Sequence, residues 1–167
     1  MIKRTSLVLA AALATLSVGS AQAASDYLIH IDGIAGTSEI IGFQDYIEIA
    51  SYSLGFVRNA CQDLHFVKQM DSSSGPMTAA TILGTFVPQI LLVARKAGER
   101  PFTYLKLTLT NSVFTSLQSG GANGSGVLPV EQISIQPSSV KFELFGQDAT
   151  GGPVQLASNT VTCQKVK

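Results

Sequence analysis

Apolar and polar residues alternate along most of the chain after residue 23. A period of two predicts β-strands with one buried and one exposed face. Leu105, Leu107 and Leu109 show the pattern clearly, because Lys106 and Thr108 lie between them. The predicted strands are Asp26–Gly33, Gln44–Ser53, Cys61–Met70, Gln89–Lys96, Phe102–Asn111, Val113–Gln118, Gln132–Gln136, Ser139–Gln147 and Val154–Gln164.

One short segment breaks this alternation and predicts a helix. Pro76 opens a run of apolar residues at helical spacing, and Gly84 follows its end. Proline in the first turn and glycine just past the last are typical of helix boundaries. So short a helix cannot bury its apolar face alone and must pack on a sheet. We expect Met77, Ile82 and Leu83 to be buried in that contact.

These elements together predict an all-β fold, a two-sheet barrel or sandwich of about eight or nine strands with one short flanking α-helix. Residues 24–167 are sufficient for a single domain with its own core. The glycine-rich stretch Ser119–Gly126 lacks the Lys-Ser/Thr pair and the following helix of a phosphate-binding loop. It is therefore interpreted as a connection between strands.

Residues 1–23 have the three-part pattern of a cleavable secretory signal peptide. Lys3 and Arg4 precede an uncharged apolar run of twelve residues at Leu7–Val18. Small residues follow at the positions that a signal peptidase recognises, which places the predicted cleavage between Ala23 and Ala24. The apolar run is too short for a membrane anchor, since a span needs roughly 20 residues. We expect a secreted protein, extracellular or periplasmic.

The charge of the mature chain argues against nucleic acid as a partner. Lys3 and Arg4 are two of the 11 basic residues, against 11 acidic ones, so the chain from Ala24 onward would carry a net charge of −2. Its charges are scattered, without the basic patch that binds phosphates. No apolar run in the mature chain reaches the length needed for membrane insertion.

The two cysteines, Cys61 and Cys163, favour a disulfide bond. Disulfides form and persist in the oxidising compartments beyond the inner membrane, and an even number of cysteines in an exported chain is consistent with complete pairing. Two buried free thiols are the alternative. Neither histidine lies at metal-ligand spacing from the cysteines, so no metal site is expected.

No local sequence motif indicates catalysis or a cofactor. No serine lies in a G-x-S-x-G turn, and the carboxylates are dispersed. His30 and His65 fall within predicted strands and are interpreted as strand residues rather than bases. A triad assembled through space would leave no such motif. We expect a non-enzymatic protein without cofactors.

Several segments, in this order, resemble the Hcp family of the bacterial type VI secretion system. They are the acidic strand and turn "DYLIHIDGIAGTSE", the strand "IEIASYSLGF", the strand and helix "DLHFVKQMDSSSGPMTAATILG", the hairpin "ARKAGERPFTYLKLTLTNSVFTSLQSGG" and the strand pair "EQISIQPSSVKFELFGQDATG". The resemblance extends over about 26–152. It implies a compact β-barrel with a flanking helix, hexameric rings with a central channel, and stacking of rings into a secreted tube that can carry effectors.

The same resemblance implies that the protein's partners are copies of itself, together with spike, sheath or effector proteins of the system. An exported Hcp-like module that acts alone on a protein or surface partner is the alternative. Two features favour it: the predicted signal peptide, and the short connection Leu54–Ala60 where many family members have a long glycine-rich extension used in stacking. A secreted hydrolase on a β-sandwich is a third hypothesis.

Overall fold

The structure is a computed structural model that describes residues 24–58, 60–98, 100–124 and 126–163. The predicted signal peptide, including Ala23, lies outside the described residues, so its cleavage stays a prediction. Within the described residues, no helix is long and apolar enough to cross a membrane.

Strands dominate the fold, as the alternation predicts. They and the one helix of the described residues are β1 Ser25–Ile31, β2 Ile47–Ile49, β3 Ser51–Val57, β4 Ala60–Gln69, α1 Ser74–Leu83, β5 Phe86–Lys96, β6 Phe102–Gly120, β7 Val130–Gln136, β8 Ser139–Gln147 and β9 Pro153–Thr162.

The strands form one hydrogen-bonded path whose two ends meet. Its order is β2-β1-β5-β6-β7-β4-β3, and every pairing is antiparallel. Only Ala50 separates β2 from β3 along the chain, and its N–H donates to the carbonyl of Val67 on β4 at 2.7 Å. The sheet therefore closes on itself into a barrel, which removes most of its open edges.

β6 belongs to both halves of this barrel. Its first half pairs with β8 and its second half with β7, and Asn111 stands between the two with a φ of 48°. Asparagine tolerates this left-handed conformation better than most residues. β8 and β9 form a hairpin that extends the sheet outward from β6, and among the described residues β9 pairs with β8 alone.

The barrel interior is filled by aliphatic and aromatic side chains from the strands and by one residue of α1. Alternation is regular in the second half of β4, where Leu64, Phe66 and Lys68 are buried and His65 is exposed between them. The fully buried large apolar residues of this core include Ile29, Ile31, Ile47, Leu64, Phe66, Met77, Ile90, Leu92, Leu109 and Ile133.

A buried lysine fixes the start of α1 against the barrel. The ammonium of Lys68 donates to Glu131 at 2.9 Å and to the hydroxyl of Ser74 at 3.1 Å, and it pairs with Asp71 at 2.8 Å. Lys68 and Glu131 are almost completely buried. A charge in the interior is tolerated only when such partners satisfy it, so this network fixes where the helix begins.

The predicted contact of the helix is confirmed for Met77 and wrong for Ile82 and Leu83. Met77 is fully buried, whereas Ile82 and Leu83 are 78% and 76% exposed. At 3.6 residues per turn, Ile82 and Leu83 lie about 140° and 120° around the helix from Met77. The side of α1 that faces the barrel carries Ser74, Met77 and Ala80 instead.

A disulfide joins Cys61 on β4 to Cys163, the residue after β9. The S–S distance is 2.00 Å and the Cα atoms are 5.0 Å apart, within the usual range for the bond. The N–H of Cys163 also donates to the carbonyl of Ser138 at 2.8 Å. The end of the outer hairpin is therefore tied back to the barrel.

Candidate functional site

The outward face of the half-barrel β3-β4-β7-β6 is polar and almost uncharged. Strand register places Ser53 beside His65, His65 beside Ser134, and Ser134 beside Ser116. The next row carries Ser51 and Val67 together with Gln132 and Gln118. We call this surface the serine face; its members are Ser51, Ser53, His65, Val67, Ser116, Gln118, Gln132 and Ser134.

The serine face is a shallow depression of about 340 Å³ rather than a closed pocket. At its centre His65 Nδ1 and Ser134 Oγ lie 2.7 Å apart, a hydrogen-bond distance. Both side chains are exposed. Hydroxyl and amide groups at this spacing offer many donors and acceptors to water or to a passing chain, without a fixed charge.

In a hydrolase, a serine such as Ser134 could act as the nucleophile and a histidine such as His65 as its base. The surroundings of the pair decide whether this hypothesis holds. A triad needs a third group that orients the base. Asp63 is the acidic residue two positions before His65 on β4, and its Oδ2 accepts a hydrogen bond from Thr115 at 2.6 Å. The pair therefore lies on an open sheet surface with its neighbouring carboxylate engaged elsewhere.

The described residues contain no group of three or more His, Cys, Asp or Glu side chains that could hold a metal ion. The predicted residues Cys61 and Cys163 are joined in the disulfide, and Met77 lies in the core. None of the three contributes to the serine face. Ala24, the predicted first residue of the mature chain, accepts a backbone hydrogen bond from Ala97 at 2.8 Å.

Sequence reasoning identified His65 as a strand residue but missed the serine face. The signal that could have found it is the identity of the polar positions rather than their period. Ser51, Ser53, Gln132 and Ser134 are all neutral and all alternate with core residues. The sequence does not show which strands pair, so it could not show that these residues adjoin one another.

A second surface feature lies on the outer face of β5 and β6. Phe43 and Tyr46, from the long connection before β2, pack edge to face with ring centroids 4.9 Å apart. The space that these two rings line is also lined by Phe102, Phe145, Leu91 and Lys106. We call this space, of about 440 Å³, the aromatic groove.

Two cations border the aromatic groove. The Arg95 guanidinium lies 5.4 Å from the ring centroid of Phe43, and the Lys106 ammonium lies 5.5 Å from that of Phe145. Arg95 also faces the carboxylate of Asp26 at 3.4 Å. Cations over aromatic faces are held electrostatically, which keeps these long side chains at the rim of the groove.

Comparisons with known proteins identify the family. The profile described as "Type VI secretion system effector, Hcp" matches residues 28–144. A curated relative, Protein hcp1 of Pseudomonas aeruginosa, is 34% identical over 103 residues, which is 59% of this chain. The chain matches 63% of the length of that relative.

Solved structures with the same architecture include two from Salmonella typhimurium. Hcp1 superposes with a TM-score of 0.71 and 28% identity, over 80% of this chain and 92% of its own. Hcp2 gives a TM-score of 0.68 and 26% identity, over 83% and 95%. The profile covers more than half of the chain, and the barrel with its flanking helix agrees with it: this protein belongs to the Hcp family of the type VI secretion system.

Proposed function

We propose that this protein is a ring-forming structural subunit of a type VI secretion system and that its serine face lines the channel of a six-membered ring. Membership of the Hcp family supports the ring. The single observation that carries the assignment of the channel wall is the neutral polar surface across four adjacent strands.

The chemistry of the serine face suits a channel wall. A wall that different passenger proteins must touch and leave has to stay hydrated, and it cannot hold a strong charge of either sign. Serine and glutamine side chains meet both needs, because they exchange hydrogen bonds with water or peptide at little net cost. The apolar aromatic groove suits a permanent contact between subunits better.

This role is non-catalytic. A ring subunit works through shape and association, and its family membership supports such a role. The His65–Ser134 pair then belongs to the hydrogen-bonding surface of the channel wall, where exposure and a neutral hydroxyl partner are advantages.

Export by the secretory signal is a further part of the proposal. The pattern of residues 1–23 supports it. The Cys61–Cys163 bond supports it too, since disulfides form and persist mainly in oxidising compartments. Spike, sheath and effector proteins of the system are the proposed partners besides the protein itself.

The second candidate function is an exported Hcp-like module that acts alone. The observation in its favour is the connection between β3 and β4, which consists of residues 58–59 only. This connection is too short to form the long extension that would reach into a stacked ring. Under this alternative the mature chain would not form a ring at all.

Sedimentation of the mature chain, Ala24 onward, with its disulfide intact distinguishes the two functions. We expect a hexamer at micromolar concentration, with weak or no stacking because the β3–β4 connection is short. A monomer throughout the micromolar range would overturn the ring and favour the module. The activity of a hydrolase, lost in His65→Ala with the fold retained, would overturn both.

A further inference from the structure

An apolar patch is exposed where α1 ends and β5 begins. Ile82 and Leu83 are the residues for which burial was wrongly predicted, and Phe86 beside them is 68% exposed. Three large, exposed apolar side chains within five residues of chain are the kind of feature that marks interaction sites on many proteins. We call Ile82, Leu83 and Phe86 the helix-end patch.

The helix-end patch carries partial negative charge. The carbonyl groups of the last helical turn point out of α1 at Gly84, and no basic residue lies in that turn. The C-terminus of a helix is equivalent to about half a negative charge. A surface that covers this patch should therefore be apolar and should present a cation.

The aromatic groove has both properties. It is lined by Phe43, Phe102, Phe145 and Leu91, and Lys106 projects along it. Among the described residues, Lys106 forms no ion pair, since the neighbouring carboxylate of Glu143 binds Lys141 at 2.8 Å. A volume of about 440 Å³ lies within the range of pockets that enclose small ligands, and it admits two aliphatic side chains.

The patch and the groove lie along different parts of one strand. Phe86 is the first residue of β5, whereas the groove extends from Leu91, in the middle of β5, to Phe102, which pairs with its last residue, Lys96. At about 3.3 Å per residue, Phe86 is about 17 Å from Leu91 and about 33 Å from Lys96 along the strand. A protomer therefore cannot place its own patch in its own groove, but each copy can offer its patch to the groove of the next.

We propose that the helix-end patch of one copy docks in the aromatic groove of a second copy of this chain. The contact is heterologous, because two different surfaces meet, and its repetition closes a ring or continues as an open chain. This inference rests on the proposed function, since it names the contact that joins neighbouring ring subunits.

Two single variants of the mature chain, measured alone and as an equal mixture, test the contact. Ile82→Asn places an uncharged polar group in the apolar patch without adding a partner for Lys106, and Lys106→Glu reverses the charge of the groove. Both side chains are at least partly exposed, so the fold should survive, and thermal melting of each variant checks this. Matched controls are Leu128→Asn and Arg58→Glu, which make the same kinds of change at exposed positions outside the patch and the groove.

Sedimentation at micromolar concentration should give monomers for each variant alone and hexamers for both controls. An equal mixture of the two variants should give a dimer, because one intact patch and one intact groove remain between them. That dimer is specific to a heterologous contact. Dissociation to monomers without a dimer in the mixture would overturn the proposed pairing.

The outcomes also separate this inference from the proposed function. Hexamers from the wild-type chain and from both variants would overturn the contact and leave the ring intact. Open oligomers that both variants reduce to monomers would support the contact and overturn the closed ring. A monomeric wild-type chain would overturn both.

Discussion

At the scale of single residues, the structure separates what periodicity can predict from what it cannot. The prediction of burial was correct for Met77 and wrong for Ile82 and Leu83. All three are apolar and lie within one short helix, but only their angle around the helix axis decides burial. The hydrophobicity of a side chain sets its preference for the core. Which side of α1 faces the core is fixed by the buried contacts of Lys68 with Glu131 and Ser74, which the sequence pattern does not reveal.

A pair of helix substitutions should show this difference in stability. Met77→Ala should lower the free energy of unfolding by about 2–5 kcal/mol, because it leaves a cavity in the core. Ile82→Ala should change it by less than about 0.5 kcal/mol, because the side chain is already exposed. Denaturant unfolding of the monomeric form measures both. Equal losses for the two variants would show that α1 packs differently.

Asp71 should make the protein sensitive to acid. Burial acts to raise its pKa, but hydrogen bonds from Lys68 and Ser73 outweigh burial and hold the pKa below the ordinary value of 3.8. The unfolded chain therefore binds this proton more readily than the folded chain. The stability that Asp71 contributes is complete above about pH 4 and is lost as the pH falls through the lowered pKa.

Thermal melting of Asp71→Asn between pH 7 and pH 3 measures this contribution. The variant should melt below the wild-type chain at pH 7 and should lose less stability on acidification. Asp45→Asn, which changes an exposed carboxylate in the same way, should retain the wild-type pH dependence. The assignment fails if acidification destabilises Asp71→Asn as much as the wild-type chain.

At the scale of elements, alternation located nearly every strand but not the partners of each. The predicted strand Gln44–Ser53 is divided at Ala50, where the chain leaves β1 for β4. The alternation changes phase at this point: Ile47 and Ile49 are buried, Ala50 and Ser51 are both exposed, and Tyr52 is the next residue that packs against the core. Conversely, the two predicted strands Phe102–Asn111 and Val113–Gln118 form one strand, β6, with Asn111 in a left-handed bend. Strand pairing depends on residues far apart in the sequence. A local pattern therefore shows which side of a strand is buried but not which strands it pairs with.

The disulfide is the element-scale contact with the largest expected effect on stability. It closes a sequence separation of 102 residues, for which the chain-entropy model gives about 4–5 kcal/mol, less any strain. The double variant Cys61→Ala/Cys163→Ala should therefore unfold at a clearly lower denaturant concentration than the oxidised protein. A reducing agent should destabilise the wild-type chain and leave the double variant unchanged. Unfolding that is insensitive to both changes would contradict a structural role for the bond.

At the scale of the whole molecule, the family resemblance predicted more than the physical pattern alone. Alternation and one helix indicate a small barrel or sandwich, and the order of the segments identifies which one. The serine face could not be predicted in either way. Its residues belong to four strands, and each strand by itself shows an ordinary solvent-facing side.

The route of export gives a prediction at this scale. If residues 1–23 are a signal peptide, intact-mass measurement of the exported protein should find a chain that begins at or near Ala24 and carries the disulfide. Replacing Ala23 with a bulky residue should slow this cleavage, while the same replacement at Ala14, within the apolar run, should not. Exported protein that retains Met1 would exclude the signal and favour assembly in the cytoplasm.

Electron microscopy of the assembled mature chain tests the central claim most directly, because it shows both the ring and the orientation of each subunit in it. We predict a closed ring of six subunits with the serine face, including Ser53, His65 and Ser134, on the wall of the central channel. A ring whose channel wall is formed by another surface, or particles that contain no closed ring, would contradict the account.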